Sequence, residues 1–257
     1  MLAAVSVPLM GIADTAMVGH LSEVAFLGAV STAGLIFSVL FWSTGFLRMG
    51  TTSMVAQFYG AQDRRSCIHM LYRSLGLACI LGILLVVLGH FGGPAAFSLA
   101  GGSAEVQEWG MRYFVIRLWE APLVLALFAL NGFFLGTANA WAPMAVTVVA
   151  NGINILADYI LIYGMWGAPV LGVEGAAWAS VLANVIASVL ALVLLVVLYR
   201  PYRSQPLRGV WDKAAFVLIF RTNSHLFGRT LCLQFAQFFL LGLVSRMGEV
   251  PLAANAV

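Results

Sequence analysis

The chain is 257 residues long, 62% hydrophobic and only 9% charged, with 13 Lys and Arg against 10 Asp and Glu for a net charge of +3. Soluble domains carry roughly 25% charged residues, so a mean hydropathy of +0.98 excludes an ordinary soluble domain and predicts an all-α polytopic membrane protein. A small net charge spread over such a chain suggests no nucleic-acid partner; the expected surroundings are membrane lipids.

Apolar runs of about 20 residues predict helices near 1–19, 26–58, 67–91, 110–136, 141–165, 172–199 and 225–247. The first run carries Pro8 and then Asp14. A proline there frees a backbone carbonyl and permits a bend near the carboxylate. The absence of a basic n-region, with Asp14 interrupting the run, argues against a signal peptide. The second run is too long for one upright span, so it must tilt, kink or project. Arg48 falls in its inner half, where snorkelling is the ordinary reading. In the fourth run Arg117 and Glu120 have the i, i+3 spacing of a local ion pair.

The fifth run holds the most informative pattern. Asn151, Asn154 and Asp158 recur at i, i+3 and i+7 and therefore form one polar stripe on an apolar helix. A carboxylate at membrane depth costs several kcal/mol unless it meets protein, water or a partner, so Asp158 points to function. The alternative is a stripe that only joins helices by hydrogen bonds. Asp14 precedes His20 by six residues and Asp158 precedes Trp166 by eight. At about 1.5 Å per residue both acids lie roughly 9–12 Å below the outer surface. The sixth run opens with small residues, Gly175-Ala176-Ala177, that allow close helix approach. It places Ser180 and Asn184 on one face, as packing residues or as ligands. Most tryptophans sit near predicted helix ends, as an interfacial belt requires; Trp119 and Tyr159 could instead wall a cationic ligand.

Charge placement orients the chain. Arg64 and Arg65 follow the second run, and Arg200, Arg203, Arg208, Lys213 and Arg221 follow the sixth, which predicts cytoplasmic loops there. Glu23, Glu105 with Glu108, and Glu174 occupy the other connections, predicting the outside for them and a cytoplasmic N-terminus. Arg246 dissents. Cys67, Cys79 and Cys232 show no disulfide or zinc spacing. Gly248-Glu249-Val250 with Leu252 and Ala256 echoes Ser22-Glu23-Val24 with Phe26 and Val30. An internal repeat follows, in which Leu240 would stand where Asp14 stands. The expected organisation is a six-helix lobe at 1–199, a cytoplasmic linker at 200–224 containing Pro201 and Pro206, and the start of a second lobe at 225–257.

The sequence resembles the multidrug and toxic compound extrusion transporters, in particular their DNA-damage-inducible F branch. The resemblance rests on Ala13-Asp14-Thr15-Ala16-Met17-Val18-Gly19-His20-Leu21, on Leu47-Arg48-Met49-Gly50-Thr51-Thr52 with Ala56-Gln57 and Gly60-Ala61, on Asn154 and Asp158, and on Gly175-Ala176-Ala177 with Ala179-Ser180. It implies a twelve-helix, two-lobe exporter of which this chain supplies the N-terminal lobe and the start of the other. It also implies that Asp14, Asn154 and Asp158 bind the driving cation, with Ser180 where the family commonly has a threonine. Asn151, Tyr159, Arg117, Glu120 and Asn184 are the further candidates for lining the cavity.

The function expected is therefore export of apolar or cationic small molecules across the bacterial cytoplasmic membrane by alternating access. Coupling would be to H⁺ or Na⁺, without a cofactor or catalytic machinery, and the missing C-terminal lobe would be required. Clustered carboxylates in a low-dielectric cavity suit a site that loads a proton on one side and releases it on the other. Hard oxygen ligands at Asp14, Asn154 and Asp158 would equally suit Na⁺. The alternatives are a lipid-linked oligosaccharide flippase, which would need several cavity arginines where only Arg117 is available, and an inactive truncated fragment. An intramembrane aspartyl protease is disfavoured, because neither Asp14 nor Asp158 lies in a Gly-x-Gly-Asp context.

Overall fold

The structure, a computed structural model, describes residues 14–20, 24–167 and 169–203, together with 206, 209–212, 217, 219, 221, 223–233 and 235–236. The expectations attached to Pro8, Glu23, Arg208, Lys213, Leu240, Arg246 and the echo at 248–256 lie outside these residues. Two compact units divide the chain, Met1–Trp211 and Asp212–Val257, and every candidate site residue belongs to the first. Among the described residues that unit is built from helices without strands.

A helical segment at 14–18, α1, precedes α2 (Val24–Thr44), α3 (Phe46–Gly60), α4 (Arg64–Ala100), α5 (Ala104–Leu118), α6 (Ala121–Gly136), α7 (Trp141–Tyr163), α8 (Val173–Leu198) and the short α9 (Arg200–Arg203). The long second run forms one 36-residue stretch, Ala25–Gly60, which is longer than an upright span needs. Gly45 separates α2 from α3, its N–H bonding the Trp42 carbonyl at 3.1 Å, while the Thr44 hydroxyl donates to the Phe41 carbonyl at 3.0 Å. Four helical stretches among the described residues are long and apolar enough to cross a membrane, and α5 with α6 passes the same test only as a pair bent by 50°.

Three boundaries depart from expectation. The third helix was expected over 67–91 but runs for 37 residues, about 55 Å at 1.5 Å per residue, so it projects beyond a hydrocarbon core of about 30 Å. Its start is capped by Asp63, which accepts the Ser66 N–H at 3.0 Å and the Ser66 hydroxyl at 2.6 Å. Its far end continues through Gly92-Gly93-Pro94, where a Cβ on Gly93 would come 3.1 Å from the Phe114 ring; α5 packs on that bare backbone. The fourth helix was expected over 110–136 as one piece. Instead it is α5 and α6, bent by 50° at Trp119 and Glu120. Pro122, in the first turn of α6, supplies no N–H to the ladder and favours a helix start there. Glu105 and Glu108 were expected in a loop but lie in α5, because Ser103 caps it by accepting the Val106 N–H at 3.3 Å. Glu174 likewise lies in the first turn of α8.

Close backbone approach organises the bundle, as expected where lipid offers no hydrophobic drive between helices. α7 packs on α8, α3 on α6, α6 on α4, and α5 on both α2 and α8. A Cβ on Gly175 would stand 2.6 Å from the Leu161 carbonyl oxygen, one on Gly82 would meet the Pro122 backbone at 2.5 Å, and one on Gly132 would meet the Arg48 carbonyl oxygen at 2.8 Å. In the aromatic core of α2, α4 and α5, the Phe114 ring lies tilted against Phe37 at 4.9 Å and edge-on to Phe97 at 5.8 Å. At the basic end, the segment leaving α9 returns to α4. His69 Nε2 lies 2.9 Å from the Pro206 carbonyl oxygen, and Arg73 donates to the carbonyls of Val210 at 2.5 Å and Gly209 at 2.9 Å. Cys67, Cys79 and Cys232 are free thiols.

Candidate functional site

Four helices converge on a buried polar cluster. Asp14 is 1% exposed, and Asn154, Asp158, Ser180 and Glu120 are wholly buried. α1 brings Asp14, α7 brings Asn154 and Asp158 one turn apart, α5 brings Arg117, and α8 brings Ser180 and Asn184 one turn apart. The Ser180 hydroxyl donates to Asp14 Oδ2 at 3.1 Å across 166 residues of sequence. Asp158 is buried in the same first unit, and no hydrogen bond joins it to Asp14 among the described residues.

Sequence reasoning missed Tyr113. Its phenol donates to Asp14 Oδ2 at 3.0 Å and accepts from Arg117 Nη1 at 2.8 Å, which joins the α5 cation to the α1 acid. Its i, i+4 spacing to Arg117 was the available signal, but a tyrosine in an apolar helix reads as core. Arg117 and Glu120 do form an ion pair, with Nε and Nη2 donating to Glu120 Oε1 at 3.0 and 2.8 Å. The pair is also part of the wider network. Arg117 Nη1 stands 3.9 Å from Asp14 Oδ2, and Asn184 donates to Glu120 Oε2 at 3.0 Å. Phe37 lies under the guanidinium, 4.8 Å from ring centre to carbon.

Two carboxyl groups, of Glu120 and Asp14, thus face one guanidinium. Asp14 Oδ2 is satisfied by Tyr113 and Ser180. By contrast Asp14 Oδ1, both oxygens of Asp158 and both amide atoms of Asn154 are buried without a hydrogen-bond partner among the described residues. Buried polar groups are ordinarily paired, so these atoms stand out from the rest of the bundle. No group of three or more His, Cys, Asp or Glu is placed to hold a metal ion among the described residues.

The remaining candidates fall outside this cluster. Asn151 is half-buried, one turn along α7 from Asn154. Tyr159 is 44% exposed and packs edge-on against Tyr163 at 5.9 Å. Trp119 marks the α5–α6 break rather than a helix end at the membrane surface, and it is exposed. Arg117, the residue that a pyrophosphate-holding flippase would need, is committed to Glu120 and its side chain is 13% exposed.

Residues 1–160 match the MatE family. The chain is 34% identical to the DNA damage-inducible protein F of Escherichia coli K12 over 98% of its own length and 54% of that protein. In structure it is similar to a MATE protein in the bent conformation, with a TM-score of 0.88 and 27% identity over 100% of this chain and 56% of that one. Similarity extends to a multidrug resistance MATE family transporter of the MOP superfamily in two states. The inward-facing form gives a TM-score of 0.79 and 27% identity, over 92% of this chain and 53% of that one. The outward-facing form gives 0.81 and 26%, over 95% and 53%. The chain spans about half the length of the relatives it matches, and those relatives are transporters rather than enzymes. The chain belongs to the MatE family of multi-pass membrane transporters.

Proposed function

We propose that this lobe is the ion-coupling half of an exporter, with Asp14, Asn154, Asp158 and Ser180 as its cation site. The observation that carries the reading is the burial of Asp14, Asp158 and Asn154 with side-chain polar atoms that find no hydrogen-bond partner among the described residues. A proton suits such a site, since it removes a charge that burial makes costly. Na⁺ is the second reading, favoured by the convergence of Asp14 Oδ1, Asp158 and Asn154 Oδ1, which would supply hard oxygen ligands. Tyr113 and Ser180 hold Asp14 in position by donating to its other oxygen.

Coupling follows from differential affinity. Cation loading favours one orientation of the lobes and an apolar or cationic small molecule favours the opposite one, so a gradient of the first drives export of the second. The second lobe completes the cavity and is required. The excess of Arg in the loops after the second and sixth apolar runs supports a cytoplasmic N-terminus, in a bacterial cytoplasmic membrane. Membrane vesicles carrying the full-length transporter should extrude a fluorescent lipophilic cation when a pH gradient is imposed at zero Na⁺, and Asp14→Asn should abolish this. Efflux driven by an imposed Na⁺ gradient alone selects the Na⁺ reading. Efflux that ignores both gradients refutes the cation site.

A further inference from the structure

One side of α5 changes from charged to apolar along its length. Glu108, Arg112, Val115 and Trp119 recur at i, i+4, i+7 and i+11 and share that side. Tyr113 and Arg117 leave the opposite side, toward the buried cluster. Between α5 and α8 lies an open groove of ≈ 510 Å³, lined by the charged Glu108, Arg112 and Glu174 and the apolar Met111, Val115 and Ile116. Between α5 and α4 lies a second hollow of ≈ 250 Å³, where Val115, Leu118 and Trp119 face Val87, His90 and Phe91. Val115 borders both, so the two hollows meet along one face. From Glu108 to Trp119 the helix advances eleven residues, about 16 Å at 1.5 Å per residue. That is close to half of a hydrocarbon core of about 30 Å, the depth of one leaflet. At the far end Phe91 is 79% exposed and Trp119 66% exposed, so large apolar side chains stand open where an acyl chain would lie.

The charged end is loosely tied. Arg112 Nη2 donates to Glu108 Oε1 at 2.9 Å, Arg112 Nη1 lies 3.6 Å from Glu174 Oε1, and the guanidinium carbon stands 4.8 Å from the Trp109 ring centre. The side chains of Arg112, Glu108 and Glu174 are 48%, 64% and 36% exposed, and ion pairs so open to solvent contribute little and exchange partners readily. Two carboxylates against one guanidinium also leave one negative charge in surplus. This set complements a headgroup that carries both signs. A phosphate accepts from the planar fork of Arg112, and a primary ammonium, with three N–H donors, serves the carboxylates. A headgroup with a net negative charge meets the surplus carboxylate, and a trimethylammonium has no N–H to donate.

We infer that this face of α5, flanked by α4 and α8, is a binding site for one phospholipid with a primary-amine headgroup. The head lies at Glu108, Arg112 and Glu174, and an acyl chain follows Val115 toward Trp119. The site is separate from the buried acidic cluster and does not depend on the reading given to it.

The test uses the full-length transporter in phosphatidylcholine nanodiscs. These are doped with a photoactivatable phospholipid that carries a diazirine in one acyl chain and an ethanolamine, choline or glycerol headgroup. Cross-linked peptides are mapped by mass spectrometry. The ethanolamine probe should label residues 108–119 roughly two- to fivefold more than either of the others, the range that exposed ion pairs support. Glu108→Gln combined with Glu174→Gln should bring ethanolamine labelling down to the choline level while choline labelling and the melting temperature stay unchanged, which separates loss of the headgroup contact from loss of the fold. Val115→Trp, which fills the shared stretch of the two hollows, should lower labelling by all three probes. Equal labelling of this face by the three probes, stronger labelling by the glycerol probe, a preference that survives the double substitution, or no labelling at 108–119 overturns the site.

Discussion

Replacing Asp158 by Asn should leave the lobe at least as stable as before while removing gradient-driven transport. Both Asp158 oxygens and Asp14 Oδ1 are buried without a hydrogen-bond partner among the described residues. An asparagine there can donate its Nδ2 to the unpaired Asp14 Oδ1, whereas an aspartate can donate nothing unless protonated. Interhelical hydrogen bonds in membranes average about 0.6 kcal/mol and reach about 1.7. A gain of about 1 kcal/mol is therefore expected, added to the relief of like-charge repulsion. For function the change is the reverse: the variant keeps the shape but loses the titratable, negatively charged group, so the gradient no longer biases the conformational equilibrium. Thermal unfolding in detergent reads the first effect, and efflux from energised vesicles of the full-length transporter reads the second. A clear loss of stability would show that Asp158 is a structural strut. Wild-type efflux with unchanged pH or Na⁺ dependence would remove it from the coupling site.

Further outcomes follow from other parts of the fold. Gly175→Val should destabilise the α7–α8 pair by about 1–3 kcal/mol, because even a Cβ would stand 2.6 Å from the Leu161 carbonyl oxygen; an unchanged melting temperature in detergent would contradict the packing described. The Ser66 hydroxyl and N–H hold the Asp63 carboxyl below its usual range. This group's contribution is therefore present above the ordinary carboxylate pKa and is lost as pH falls through the lowered folded value. Hydrogen exchange at the first amides of α4 should accelerate in that acid range, and Asp63→Ala should show the faster rate already at neutral pH, with a loss of about 1 kcal/mol. Single cysteines placed at Glu105 and near Arg203, in a background lacking the native thiols, should react with impermeant reagents from opposite faces of the membrane. Same-side labelling would refute the orientation.

Periodicity made half of the site legible. Asn154 and Asp158 stand out because amides and acids at one-turn spacing in an apolar helix have no ordinary reason to be there, and both prove buried. The contact of Asp14 with Ser180 joins residues 166 apart, and no local pattern encodes it; the family resemblance supplied that association. Tyr113 stayed hidden because its ring fits the core while its function lies in one oxygen. The break at Trp119 and Glu120 was invisible to hydropathy, since the flanking stretches stay largely apolar, although Pro122 marked it. The apolar run was expected to end at 91, but α4 continues through Gly92, Gly93 and Pro94, with Gly93 set against Phe114 and Met111 of α5.

The seam between α3 and α6 bears on how this chain can change over generations. Gly132 and Gly136 sit one turn apart on α6, and at both a Cβ would collide with α3, at the Arg48 carbonyl oxygen and Thr51 for the first and at Val55 for the second. Leu135, beside them, is exposed and accepts almost any apolar replacement. A comprehensive substitution library of α6, selected for survival under drug challenge, should therefore record a beat of four residues along this face: positions that admit only glycine, separated by positions that drift freely.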